Sequence, residues 1–310
     1  MTQITKDINI GILYGGWSDE RKISLESGEA VFQTLKNAGY SVFLYDLKNN
    51  QNDLKIFVKN NSINIVFNLI HGTGGEDGTV QSWLDNIGVR YIGSDSKASI
   101  LSFSKLKTKK KWKDNGLKTP SEVIESPSLL EQSKKDAVPI LFMSENFRYV
   151  MKPDKSGSSV GIKILYNEED FKKHAHLLDS DNDYFIEEYV KGSEYTAPII
   201  GDTVFPIIKI ETKREFYNYQ AKYIDDDTNF SFPEFKSDML KKIESTCLKA
   251  FHVLGCKGWG RVDFFINSNN EISLIEVNTI PGMTSHSLVP MSAKKKGYTY
   301  LQLVELLLNI

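Results

Sequence analysis

The sequence predicts an α/β protein of more than one unit, opening on a parallel sheet. Three observations predict it. Apolar runs of strand length alternate with helix-period stretches through residue 95, which implies strands joined by helices lying on their faces. Later runs at 184–190, 194–200 and 204–211 follow one another with only short breaks and a Gly201-Asp202 turn, the pattern of an antiparallel meander. The length of 310 residues is more chain than one core usually organises.

The elements follow in order. Residues 8–14 read as a buried strand ended by Gly15-Gly16. A helix over 24–37 places Ala30, Val31 and Leu35 at helical spacing and stops at Gly39. Strands are expected at 41–47, 63–70 and 89–92, with a short helix over 79–86. Residues 96–115 form one long helical stretch ending at Gly116, with Pro120 beyond it. A polar connection at 126–144 precedes strands at 149–152 and 162–165, which flank a glycine-serine loop. A helix over 168–178 leads to the meander. Residues 212–231 are polar, aromatic and without period, and a loop of that length in a compact unit is usually functional or disordered. An amphipathic helix over 235–254, two apolar strands and a helix over 300–307 close the chain. Two or three units are expected, the first ending near residue 95.

Composition sets limits. With 40% hydrophobic and 25% charged residues the chain is an ordinary globular protein. A net charge of -2 supplies no broad basic field, so neither nucleic acid nor an anionic membrane is expected as partner. No apolar run is long enough to span a bilayer, and residues 8–14 make no signal segment. Cys247 and Cys256 lack metal-ligand or CxxC spacing, which fits inert core thiols in a reducing cytoplasm.

The chemistry concentrates in the last two strands, Gly260-Arg261-Val262-Asp263 and Leu274-Ile275-Glu276-Val277-Asn278. Strand side chains alternate, so Arg261 and Asp263 point one way and Glu276 and Asn278 point together. Paired as a hairpin, they gather Asp263, Glu276 and Asn278 beside an arginine. Hard oxygen donors without thiolate or imidazole suit Mg²⁺, which needs one or two carboxylates plus substrate phosphates. A surface hairpin with scattered polar residues is the alternative, and the apolar runs around the donors speak against it. The loop Lys152-Pro153-Asp154-Lys155-Ser156-Gly157-Ser158-Ser159-Val160-Gly161 lets backbone N–H groups approach an anion, or is a plain hairpin tip. His71-Gly72-Thr73-Gly74-Gly75-Glu76-Asp77-Gly78 and Gly15-Gly16-Trp17-Ser18-Asp19-Glu20-Arg21 both follow strands, where open α/β sheets bind ligands. Glu20 beside Arg21 is either a solvated pair or, with His71, a reader of a zwitterion. The six lysines between 105 and 113 read as a nucleic-acid patch or, in a slightly acidic chain, as a solvated helix face from which one can turn inward. Glu187 and Glu188 end a strand as a charged edge or as the rim of an adenine-ribose pocket.

These blocks, with Ala221-Lys222-Tyr223 and Glu276-Val277-Asn278-Thr279-Ile280-Pro281-Gly282-Met283-Thr284-Ser285-His286-Ser287-Leu288, resemble the D-alanine–D-alanine ligases of the ATP-grasp superfamily over nearly the whole chain. The resemblance implies an α/β ATP-grasp fold of three subdomains, at 1–95, 96–183 and 184–310, the first of them a Rossmann-like N-terminal domain with a parallel sheet. It implies ATP as co-substrate, two Mg²⁺ ions (or Mn²⁺) on Asp263, Glu276 and Asn278, and D-alanine as substrate. Lys105 and Lys152 would contact phosphates. Glu187, Tyr189 and Val190 would meet adenine and Glu194 the ribose, with Ser158 and Lys222 also on the nucleotide side. Glu20 and His71 would fix the first D-alanine. Ser158, Tyr223 and Glu20 would tie the loops over the site. Arg261 and the Gly282 N–H would stabilise the tetrahedral intermediate, and Ser287, the Leu288 N–H and Lys222 would hold the second carboxylate. The product would be D-alanyl-D-alanine for peptidoglycan, made through a D-alanyl phosphate by a cytoplasmic homodimer. A D-lactate or D-serine nucleophile, or a nucleotide-binding module without catalysis, are the alternatives. The glycine-serine loop and residues 212–231 are expected to close over ATP. The chain departs from the family pattern at Ser104, where an aspartate often precedes the first phosphate lysine.

Overall fold

Alternation along one strand decides the first layer. In the computed structural model, which describes residues 6–124, 148–179, 183–213 and 228–310, β1 (Asn9–Gly15) lies inside a parallel sheet. β2 (Ser41–Leu47) flanks it on one side and β3 (Ile65–Asn68) on the other, with β4 (Arg90–Tyr91) beyond β3. Ile10 and Ile12 join Ile65 and Phe67 in one core, while Leu13 and Val66 enter a second core on the opposite face. Helix α1 (Arg21–Asn37) covers the first face through Val31 and Leu35. It lies close against β1 because residue 28 is glycine; a Cβ there would run into Tyr14. Helices α2 (Gln51–Asn60) and α3 (Thr79–Ile87) cover the second face with Leu54, Phe57, Val58, Val80 and Leu84. Helix α2 was not predicted. Its apolar residues are only Leu54, Ile56, Phe57 and Val58 among polar ones, and the Asn50 side chain starts it by accepting from the N–H groups of Asn52 and Asp53.

The long helix expected over 96–115 is two helices, α4 (Ser96–Phe103) and α5 (Lys105–Asp114). The break is Ser104, whose ψ of 114° leaves the helical region and whose hydroxyl accepts from the Lys107 N–H. Both helices pack on the C-terminal core: Ala98, Trp112 and Leu117 belong with Ala250, Phe251 and Val262.

A second sheet has the order β5–β8–β6–β7 and is antiparallel. Its strands are β5 (Glu122–Ile124), β6 (Tyr149–Pro153), β7 (Lys163–Leu165) and β8 (Tyr184–Glu188). Helix α6 (Glu168–His174) adds Phe171 to its small core. The meander prediction is corrected here: β8 pairs with β5 and β6, not with the strand that follows it in sequence. Similar short apolar runs carry no label for their sheet.

The third sheet is built on β9 (Gly192–Ile200), which pairs with β10 (Thr203–Val204), β11 (Ile208–Glu211) and β13 (Trp259–Asn267). β12 (Asn229–Ser231) extends it beyond β11 and β14 (Ile272–Asn278) beyond β13. Helix α7 (Ser237–Val253) covers one face through Ile243, Cys247, Ala250 and Phe251. Helix α8 (Leu288–Lys295), also not predicted, leads to α9 (Tyr300–Leu308), which returns to the first sheet and adds Leu303, Val304 and Leu307 to its core. The 126–144 connection and most of the 212–231 loop, with Lys222 and Tyr223, lie outside the described residues.

Candidate active site

Register places the predicted donors. Arg261 stands opposite Asn278, and Asp263 opposite Glu276, across β13 and β14. Directly opposed residues share a face, so these four side chains project together, while Val262, Phe264, Leu274 and Val277 fill the core behind them. Arg261 holds Asp263 with a two-pronged grip: Nε donates to Oδ1 at 2.9 Å and Nη2 to Oδ2 at 2.8 Å. Thr196 Oγ1 donates to the same carboxylate. The Asn278 side-chain oxygen accepts the Ile280 N–H at 3.0 Å.

The set fits a hard divalent ion in donor type and register. Among the described residues no group of three or more His, Cys, Asp or Glu could hold a metal. The predicted donors are two carboxylates and one amide oxygen, so an ion held there would take its remaining ligands from phosphates and water.

Two clefts meet at this face. The larger, about 490 Å³, is lined by Glu20, His71, Glu76, Ser158, Arg261, Asn278, Gly282, Ser287 and Leu288. The smaller, about 100 Å³, lies between the second and third sheets. Lys152, Glu187, Tyr189, Val190, Glu194 and Asp263 line it, together with Val150, Ile162, Ile164, Phe265 and Ile275. Lys105, Ser156 and Glu276 line both. Lys105 Nζ donates to the Ser156 carbonyl at 2.6 Å and lies 3.4 Å from Glu276 Oε2.

The loops after β1 and β3 form the far wall. Glu20 does not pair with Arg21; the arginine turns away to Asp46, with Nη1 and Nη2 donating to its two oxygens at 2.7 and 2.6 Å. That pairing holds the Asp46 carboxyl down at about 2. Arg21 also donates to the Gly16 carbonyl at 2.9 Å, which fixes the loop carrying Glu20. The Ser158 hydroxyl donates to Glu20, and glycine at 157 leaves room for that carboxylate, which a Cβ would push aside. Ser158 and Ser159 both take the left-handed backbone conformation, with φ of 52° and 57°, a strained choice for side-chain-bearing residues.

His71 is 3% exposed, and its Nδ1 lies 2.8 Å from the Leu69 carbonyl. A carbonyl only accepts, so Nδ1 carries the proton. Burial lowers the pKa of the ring, with Glu20 opposing, so the neutral ring leaves Nε2 as an acceptor. This nitrogen has no hydrogen-bond partner among the described residues and lies 3.7 Å from where a Cβ on Gly282 would sit. Ser287 Oγ accepts from the Thr284 N–H at 3.0 Å and leaves the N-terminus of α8, at Leu288, without a side-chain cap.

Sequence reasoning missed three residues. Glu76 lines the larger cleft and accepts from the Gly72 N–H at 3.1 Å; burial, with the Glu20 charge adding to it, pushes its carboxyl up to about 8. Its place in the loop after β3 was the available signal. Asp154 is 4% exposed and accepts from Ser104 Oγ and the Leu106 N–H, so it supplies a carboxylate at the start of α5 where residue 104 has none. Lys109, fully buried, turns inward beside Lys105, one helical turn away. Glu187 is held between Lys109 at 2.6 Å and Lys152 at 2.5 Å.

Comparison with known proteins places the chain in a family. The family model described as D-ala D-ala ligase C-terminus matches residues 112–309, and that described as D-ala D-ala ligase N-terminus matches 48–94. The chain is 40% identical over 302 residues to the D-alanine--D-alanine ligase of Vesicomyosocius okutanii subsp. Calyptogena okutanii, covering 97% of this chain and 99% of that one. The structure of the Bacillus anthracis D-alanine--D-alanine ligase complexed with ATP superposes with a TM-score of 0.81 at 31% identity, covering 97% of this chain and 96% of the other. The VanG D-Ala:D-Ser ligase of Enterococcus faecalis gives 0.81 at 25% identity, covering 97% and 98%. With a three-sheet fold, two clefts meeting at Glu276 and this degree of full-length identity, the chain belongs to the D-alanine–D-alanine ligase family.

Proposed function

We propose that this chain joins two D-alanines into D-alanyl-D-alanine at the expense of ATP, through a D-alanyl phosphate, as a step in peptidoglycan precursor synthesis. The observation that carries the reading is the junction of the two clefts at Lys105, Ser156 and Glu276. A slot with apolar walls and a polar rim suits a nucleotide, and a cleft lined by Glu20, His71 and Arg261 suits zwitterions.

ATP lies in the smaller cleft, its base near Glu187, Tyr189 and Val190, its ribose near Glu194 and its phosphates toward Lys152 and Lys105. Asp263, Glu276 and Asn278 would hold two Mg²⁺ ions, which when bound neutralise charge on the transferring phosphoryl group. Glu20 and the His71 Nε2 are both acceptors, so they orient the ammonium of the first D-alanine. Its carboxylate oxygen attacks the γ-phosphorus; an O–P bond forms, the bridging P–O bond breaks, and ADP leaves. The second D-alanine, its carboxylate on Ser287 and the Leu288 N–H, attacks the acyl carbon through its amine. A C–N bond forms, the acyl C–O bond to phosphate breaks, and the amine proton leaves on the departing phosphate. Arg261 and the Gly282 N–H meet the oxyanion between these events. Ser158, bonded to Glu20, keeps water from the acyl phosphate. Lys222 and Tyr223 are assigned here on the family pattern alone.

We place the first unit at 1–95 and, because β8 (Tyr184–Glu188) pairs within the central sheet, put the break expected between 183 and 184 between Glu188 and Gly192 instead. The enzyme acts in the cytoplasm as a homodimer; among the described residues no helix is long and apolar enough to cross a membrane. Phosphate release from ATP tests the function: D-alanine should stimulate it, and D-serine or D-lactate added beside limiting D-alanine should not replace the second molecule. ATP turnover that ignores D-alanine would refute the reading.

A further inference from the structure

Lys109 does not line either cleft, yet it is the most completely buried cation near them, with its side chain 0% exposed. Its Nζ lies 2.6 Å from Glu187 Oε2, 2.6 Å from the Pro120 carbonyl and 3.0 Å from Thr119 Oγ1. The Thr119 hydroxyl spends its own proton on the Leu274 carbonyl at 2.9 Å, so toward Lys109 it accepts. Three acceptors around one nitrogen require three N–H donors, which only the ammonium form has. Burial draws Lys109 down to about 8, and the Glu187 carboxylate is the main opposing influence.

The surrounding charges can be counted. Lys113 pairs with Glu122, which is also 3.7 Å from Lys109; Glu187 pairs with Lys109 and with Lys152 at 2.5 Å. Three lysines (Lys109, Lys113, Lys152) face two glutamates (Glu122, Glu187), leaving one positive charge. Lys152 and Glu187 both line the nucleotide cleft, and Lys109, outside it, takes up the Glu187 charge from behind and leaves that of Lys152 uncancelled. Without Lys109, Glu187 would have Lys152 as its sole close cation and would cancel it.

We propose that Lys109 is a positioning residue: as the buried counter-ion of Glu187, it leaves the charge of Lys152 available to the phosphates of the nucleotide. The inference rests on the nucleotide assignment above. It also explains why a lysine is kept in a fully dry position, where an unpaired charge would be strongly destabilising.

The test compares the wild-type enzyme, K109M and K109R by steady-state kinetics with ATP and D-alanine varied in turn, with thermal melting as the check on folding. In K109M the KM for ATP should rise at least about tenfold, as expected for a charged hydrogen-bonding partner lost from a phosphate, while the KM for D-alanine stays near the wild-type value. In K109R the positive charge beside Glu187 is kept, so the KM for ATP should stay well below that of K109M. An unchanged KM for ATP in K109M overturns the proposal. So does equal impairment of K109M and K109R, which is what a packing role would give. If K109M does not fold, K109Q, also neutral but polar, takes its place: a rise of about tenfold in the KM for ATP supports the proposal and an unchanged KM overturns it. Wild-type enzyme that does not use ATP would instead refute the nucleotide assignment itself.

Discussion

Ser158 donates a hydrogen bond to Glu20 across a sequence separation of 138 residues, joining the loop after β6 to the loop after β1. The contact fastens the glycine-serine loop over the junction where the two clefts meet. It sets an acceptor group and a covering loop in one arrangement, so under the proposed function catalysis and exclusion of water would depend on the same pair.

Breaking that pair should cost activity more than stability. Ser158→Ala is expected to lower kcat/KM for D-alanine by about ten- to a hundredfold, the usual worth of a hydrogen bond to a charged group. Steady-state kinetics at saturating ATP measure it. Thermal melting should barely move, because the loop contributes little to any core. Unchanged kinetics would remove the tie from the mechanism.

Arg261 is expected to be harder to replace. Arg261→Ala should reduce turnover by about 10²–10³, the usual effect of losing an oxyanion donor, while ATP binding largely survives. Arg261→Lys should not restore it, since a point charge cannot reproduce the two-pronged hold on Asp263. Substantial turnover in either variant would take Arg261 out of the reaction.

Acid should loosen the loop that carries Glu20. The Asp46 carboxyl is held at about 2, below its ordinary 3.8, chiefly by the Arg21 hydrogen bonds. A carboxyl with a lowered folded-state pKa adds stability that is fully present above the ordinary value and is lost as pH falls through about 2. Asp46→Asn should therefore melt below the wild-type protein at neutral pH, and the gap should close in acid. Both side chains are 34% exposed, so solvent screening keeps the gap small. Melting curves from neutral to strongly acidic pH would show it, and a gap independent of pH would contradict it.

The two thiols should be unreactive in the native protein. Cys247 and Cys256 are both buried, and burial raises both, Cys256 to about 12. Only a thiolate reacts at a useful rate. An alkylating reagent followed by mass spectrometry should label neither until denaturant is added; rapid native labelling of Cys247 would mean that α7 opens readily.

Much of this was legible because period and register follow from sequence. The alternation Arg261, Asp263 and Glu276, Asn278 placed four polar side chains on one face, and the hairpin register sets them in opposed pairs. The parallel first sheet followed from strands spaced by helices. What depended on distant partners was not legible. β8 looks like the first strand of a meander, and only its pairing with β5 and β6 assigns it to the second sheet. The break at Ser104 depends on Asp154, fifty residues away. Lys109 is indistinguishable in sequence from its solvated neighbours Lys110 and Lys111; its burial depends on Glu187, Thr119 and Pro120 meeting at one point.

The most direct measurement is mass spectrometry of the products after the purified chain is incubated with ATP, Mg²⁺ and D-alanine. The account predicts D-alanyl-D-alanine with one ADP and one phosphate formed per dipeptide. ADP and phosphate without dipeptide, or no reaction at all, would contradict it.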